Sequence, residues 1–153
     1  MRKRSSADLV LKNLMPVVAQ SARQWRRAID RQLQPLGLTE ATWLPLLHLS
    51  RAADAPRQKD LAGALQLDSS SVVRLLDALQ GAGFIYREEG QDRRAKTVVL
   101  TDAGRAVVRQ VEAVIDVVRA KYLGGLPQED LATALRIMQQ ISDLLTADLE
   151  TAP

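Results

Sequence analysis

The chain has 153 residues, 46% of them apolar and 25% charged, which suits one packed domain and excludes a disordered chain. It has no cysteine and one histidine, His48, which rules out disulfides, thiolate metal sites and cysteine nucleophiles and leaves no basis for a histidine metal cluster. The net charge of +3 is unevenly spread: residues 1–31 carry eight basic and two acidic side chains, residues 84–109 six and four, and residues 110–153 three and seven. A polyanion is therefore favoured by the first two stretches and disfavoured by the last.

No apolar run approaches the ~18 residues of a membrane span. The start, MRKRSSADLV, is basic but has neither a long apolar core nor a cleavage site, so no signal peptide is expected and the reading is a soluble cytoplasmic protein.

From Leu11 onward the apolar positions Leu14, Val18, Ala22, Trp25, Ile29 and Leu33 step by three or four and lay one stripe along a long helix. Pro16 interrupts it, which predicts a kink or a late start, and Pro35 and Gly37 end it. Thr39 caps a second helix, TEATWLPLLHLSRA, with Pro45 as an irregularity inside it, and DAPR connects onward. Next comes RQKDLAGALQLDSSSVVRLLDALQGAG. Its first part buries Leu61, Ala62 and Leu65; its second buries Val72, Leu75 or Leu76, and Leu79. Asp68 or Ser69 is the natural N-cap between them, because a short side-chain oxygen satisfies an orphan amide, and Gly81 and Gly83 end the second helix. Two short amphipathic helices joined by a tight polar turn form a helix-turn-helix.

FIYREE and AKTVVLT are both strand-prone and flank the charged loop GQDRR. Strand, loop and strand directly after a helix-turn-helix make a winged helix. A tip this polar must face solvent or a partner. Two arginines there suit a narrow, strongly negative groove, and Asp92 can brace a neighbouring arginine. An ordinary solvated hairpin with a local salt bridge fits the same residues.

Thr101 caps a long helix with Val107, Val111, Val114 and Val118 at near-heptad spacing, broken at Gly124 to Pro127. The last helix is expected to bury Leu131, Leu135, Met138, Ile141, Leu145 and Leu149. Three long apolar stripes exceed what one small winged helix covers, which implies a dimer built from the first and the last two helices; a monomeric helical layer is the other solution. The expected fold is thus mainly α with a small β-hairpin. A winged helix-turn-helix over residues 36–101 is flanked by dimerisation helices over 7–34 and 102–149 in a single 1–153 chain.

The stretches LQPLGLTEATW, DSSSVVRLLDALQGAGFIYRE, DRRAKTVVLTDAG and VRAKYLGGLPQEDL stand in the order they take in MarR-family transcriptional regulators, which the chain resembles from about Trp25 to Leu145. Within that family it is most similar to the SlyA branch. The resemblance implies a homodimer on pseudo-palindromic operator DNA, weakened by a small phenolic or carboxylate ligand. Ser69, Ser70, Ser71 and Arg74 would lie at the DNA-facing end of the recognition helix. Arg57 and Lys59 would meet the backbone, Arg94 would enter the minor groove braced by Asp92, and Arg93 and Lys96 would add phosphate contacts. A ligand crevice would be lined by Arg23, Trp43 and Arg74, with His48 nearby; an arginine beside an aromatic wall suits an aromatic carboxylate. Trp43 as core and His48 as an ordinary half-buried histidine are the plainer readings.

Three classes remain to be separated. A DNA-binding regulator leads, and a winged helix used only for protein contact is the alternative. An enzyme has nothing to stand on, with no phosphate loop, metal cluster or nucleophile–base pair, and no cofactor is expected.

Overall fold

The computed structural model describes residues 6–89 and 96–151. Helix α1 (Ser6–Leu33) begins well before Pro16 and continues through it, so the late start expected at that proline does not occur. The ring removes one backbone hydrogen bond, but Pro16 is exposed, where water can serve the freed carbonyl. A single 3-10 turn, Gln34–Leu36, then closes on Gly37, whose φ of 72° lies in the left-handed region that glycine enters without a steric penalty.

Helix α2 (Glu40–Arg51) follows, with Pro45 inside it. Thr39 stands at its N-cap, yet the side chain makes no capping bond; its Oγ1 lies 3.5 Å from that of Thr42. Among the described residues, two polar contacts tie α2 to α1. Arg26 pairs with Glu40 at 2.9 Å, and Trp43 Nε1 donates to Asp30 Oδ1 at 3.4 Å.

Helices α3 (Gln58–Leu65) and α4 (Ser69–Gly81) form the expected pair, and strands β1 (Ile85–Glu89) and β2 (Lys96–Leu100) the expected hairpin. The antiparallel register sets Ile85 opposite Leu100 and Arg87 opposite Val98. Ile85, Val98 and Leu100 are buried on one face of the hairpin. The core they join holds Leu33, Leu46 and Leu76 with no exposed surface, and Trp43, Val72 and Val98 at 1%. Burial of each such large side chain contributes roughly 1.5–3 kcal/mol. An isolated bridge flanks the two-stranded sheet: Arg57 pairs with Thr97, and Val98 N–H donates to the Pro56 carbonyl at 3.0 Å.

Helix α5 (Asp102–Leu123) opens on a junction with no room for side chains. A Cβ at Gly104 would sit 2.1 Å from the Phe84 carbonyl oxygen, so only glycine fits. Thr101 Oγ1 accepts from the Gly104 amide at 3.0 Å, which is the cap expected of that threonine.

The chain forms two compact units, residues 1–116 and 117–153, with the boundary inside α5. In the second, α5 ends at Leu123, just before Gly124, where a Cβ would meet the Ala120 carbonyl oxygen at 2.5 Å, and α6 (Gln128–Thr151) follows. The apolar stripe expected to be buried on α6 is not buried in the single chain. Leu135 is 60% exposed, Leu145 54% and Leu149 78%, while Leu131, Met138 and Ile141 are half-buried. A helical period marks which face is apolar, not what covers it. Early α1 shows the same pattern, with Leu11 at 74%. Among the described residues, no helix is long and apolar enough to cross a membrane.

Candidate nucleic-acid interface

The site is built on α3, α4 and the hairpin. The N-cap of α3 is Arg57, whose backbone N–H is held by the Asp60 carboxylate at 3.3 Å. Arg57 and Lys59 are both exposed at this end. α3 ends at Gln66, in the left-handed region at φ 54°, with its N–H directed at the Ala62 and Gly63 carbonyls. That residue turns the chain sharply into α4.

Asp68 caps α4 with four hydrogen bonds. Its Oδ1 accepts from the amides of Ser70 at 2.9 Å and Ser71 at 2.8 Å and from the Ser70 hydroxyl at 2.6 Å; its Oδ2 accepts from the Ser71 hydroxyl at 2.6 Å. These bonds, led by the one from the Ser70 hydroxyl and then that from Ser71, hold the Asp68 carboxyl well below the usual carboxylate range. The cap stays ionised at the positive end of the helix, where negative charge is favoured.

Past the cap, the two faces of α4 separate. Val72, Leu76 and Leu79 are buried. Ser69, Ser70, Val73, Arg74 and Asp77 are exposed and form one stripe. Ser71 departs from the other two serines. It is half-buried and lines a cleft of about 340 Å³ with Glu40, Ala41, Leu44, Pro45, Leu65, Leu67 and Leu75. The stripe can do two things to a base edge: a serine oxygen and a guanidinium offer hydrogen bonds, and the Val73 methyls offer apolar contact of the kind a thymine methyl takes. Val73, 36% exposed, was passed over in the sequence, where it looks no different from its buried neighbour Val72.

The hairpin stands beside this stripe. Arg87 Nη2 of β1 donates to Asp77 Oδ1 of α4. Lys96 is exposed at the start of β2, opposite Glu89. Asp92, Arg93 and Arg94, read from sequence as the wing tip, lie outside the described residues.

The four residues expected at a ligand crevice lie on three helices, Arg23 on α1, Trp43 and His48 on α2, and Arg74 on α4. Trp43 is 1% exposed and belongs to the core of the single chain, its indole N–H turned to Asp30. The cause is its position on α2 facing α1, where packing takes the whole ring. Arg23 on α1 and Arg74 on α4 are exposed. His48, exposed, lines a second cleft of about 290 Å³ with Arg51, Ala52, Pro56, Asp60, Leu61 and Ala64. Neither cleft is lined by Arg23, Trp43 or Arg74. Among the described residues, no group of three or more His, Cys, Asp or Glu is placed to hold a metal ion.

Comparison with known proteins adds three findings. The family model described as MarR family matches residues 38–96, from just before α2 to the start of β2. The crystal structure of transcriptional regulator PA3341 superposes with a TM-score of 0.79 at 36% identity, covering 91% of this chain and 99% of that one. MepR of S. aureus, solved in complex with DNA, gives 0.68 at 25% identity, covering 84% and 95%. CouR of Rhodococcus jostii RHA1, solved bound to p-coumaroyl-CoA, gives 0.73 at 24% identity over 91% and 95%, a likeness of fold.

Proposed function

From the premise that this chain belongs to the MarR family of transcriptional regulators, we propose that it works as a homodimer that reads pseudo-palindromic operator DNA and is released by a small aromatic ligand. The observation that carries the DNA part is the exposed stripe Ser69, Ser70, Val73 and Arg74 on a helix capped by Asp68, beside a hairpin that offers Lys96. In this reading α4 enters the major groove, Arg57 and Lys59 meet phosphates, and Arg94, braced by Asp92 and flanked by Arg93, enters the minor groove. Ser71 acts on the cleft side of the same helix. The use of the winged helix for protein contact alone is not favoured, since MepR of the same fold was solved on DNA.

Homodimerisation is supported by apolar side chains the single chain leaves in water, Leu11 on α1 and Leu135, Leu144 and Leu149 on α6. The ligand reading rests on the exposed cations Arg23 and Arg74 and on His48 at its cleft, with an anionic or phenolic aromatic as the partner that guanidinium groups favour. CouR, with its aromatic thioester, shares the fold. Placement in the SlyA branch rests on the sequence stretches alone, and the compartment proposed is the cytoplasm.

The experiment is selection of bound fragments from the host genome, followed by titration of the enriched duplex at several salt concentrations. The reading expects a palindrome-like site with half-sites about one turn, roughly 34–36 Å, apart and affinity that falls steeply with salt. No enrichment and no salt-dependent duplex binding would leave the protein-contact alternative standing.

A further inference from the structure

Among the described residues, polar contacts of two different kinds fasten the hairpin to the helix pair. On the β2 side the fastening is backbone: Val98 donates to the Pro56 carbonyl at 3.0 Å and Arg57 bridges Thr97, just ahead of α3. On the β1 side it is a side-chain pair, Arg87 to Asp77 of α4.

Arg87 sits in unusual company for a cation. The register sets it opposite Val98 on the face that also holds Ile85 and Leu100, all three buried. Its side chain is 19% exposed against 61% for Asp77, and its Nε is buried with no hydrogen-bond partner among the described residues. For stability alone this is a poor choice, because a largely buried guanidinium costs desolvation and a flexible apolar side chain of similar length would cover Val98 without that cost. What the pair does supply is direction. A guanidinium and a carboxylate meet in a preferred plane, whereas an apolar contact allows sliding. Asp77 also follows Val73 and Arg74 by one helical turn on the exposed stripe, so the anchor lies on the face proposed to read DNA.

We propose that Arg87 and Asp77 are positioning residues that hold the hairpin at one setting against α4, so that the recognition helix and the wing reach a single duplex together. This rests on the reading that both elements contact DNA. Neither residue needs to touch DNA itself.

Lys96 serves as the probe of wing contact. In the unaltered chain Lys96→Ala should reduce the slope of log affinity against log salt by about one, as for one lost phosphate contact. In an Asp77→Ala background the slope should already be reduced, and Lys96→Ala should change it no further. Asp77→Glu keeps a carboxylate and should restore the response to Lys96→Ala. The paired variant Arg87→Met with Asp77→Leu guards against a folding artefact: it should keep a thermal midpoint at or above that of the unaltered chain while losing roughly tenfold or more in operator affinity. Equal Lys96→Ala effects in both backgrounds, or undiminished operator binding by the folded apolar pair, would overturn the proposal. A Lys96→Ala slope unchanged in the otherwise unaltered chain would overturn the wing reading beneath it.

Discussion

Thr101 is bonded to Gly83 across the base of the wing: its hydroxyl donates to the Gly83 carbonyl at 2.6 Å while its oxygen accepts from the Gly104 amide at 3.0 Å. One side chain thus caps α5 and closes the turn between α4 and β1. Thr101→Val removes both bonds and should cost about 1–2 kcal/mol. Gly104→Ala should cost more, about 2–3 kcal/mol or loss of folding, because the new Cβ meets a backbone carbonyl that has nowhere to go. Gly81→Ala, with open space around it, should be neutral or stabilising. Urea midpoints of the three variants rank them, and a Gly104→Ala protein as stable as Gly81→Ala would contradict the packing described.

Asp68 should make stability sensitive to acid. Its folded carboxyl is depressed, so its contribution is complete above the unfolded value of about 3.8 and is lost as pH falls below that value toward the folded one. Asp68→Ala should therefore be less stable at neutral pH and show a shallower acid limb. Denaturation at stepped pH from 6 downward tests this, and parallel acid limbs would refute it.

At the wing tip, Arg94→Ala should weaken operator binding and flatten its salt dependence. Asp92→Ala separates two roles. If Asp92 braces the arginine, its loss weakens binding; if the tip acts by charge alone, removing a negative group strengthens it. Titration of both variants at two salt concentrations gives the sign.

Leu135→Glu with Leu149→Glu should leave the single chain folded, since both side chains are more than half exposed in it, yet abolish dimers and operator binding together. Sedimentation of the unaltered protein at micromolar concentration should show a dimer. A monomer there would end the homodimer proposal.

An aromatic carboxylate such as salicylate, at millimolar concentration, should weaken operator binding. Arg23→Ala should remove that response with DNA affinity near normal, whereas Arg74→Ala should damage both. A ligand that prefers the DNA-free form a hundredfold can shift affinity by at most about 2.7 kcal/mol per site. An Arg23 variant that still responds fully would exclude Arg23 from the ligand site.

The helix pair and hairpin were legible because their signals are local: Asp68 beside three serines, the apolar steps of α3 and α4, and polar residues between two strand-prone runs. The three serines show where that reading stops. They look alike in sequence, but each is turned by about 100° from the next, and only the packed helix tells that Ser71 faces the cleft. Trp43 is similar; its amphipathic ring suits a pocket wall or a core, and only the packed chain shows it 1% exposed. The Arg87–Asp77 pair leaves no local trace, since a strand residue and a helix residue meet only after the chain has turned between them. On α6 the apolar period was correct, while its burial depends on a second surface that one sequence does not contain.

The bond from Val98 to Pro56 joins the end of the wing to the segment ahead of α3, with both helices of the pair in the loop it closes. Closing that loop costs the entropy of ordering everything between its ends. Hydrogen exchange at the Val98 amide therefore reports the opening of the whole winged helix rather than the fraying of a hairpin, and gives a single-site clock for cooperative unfolding of the DNA-reading part.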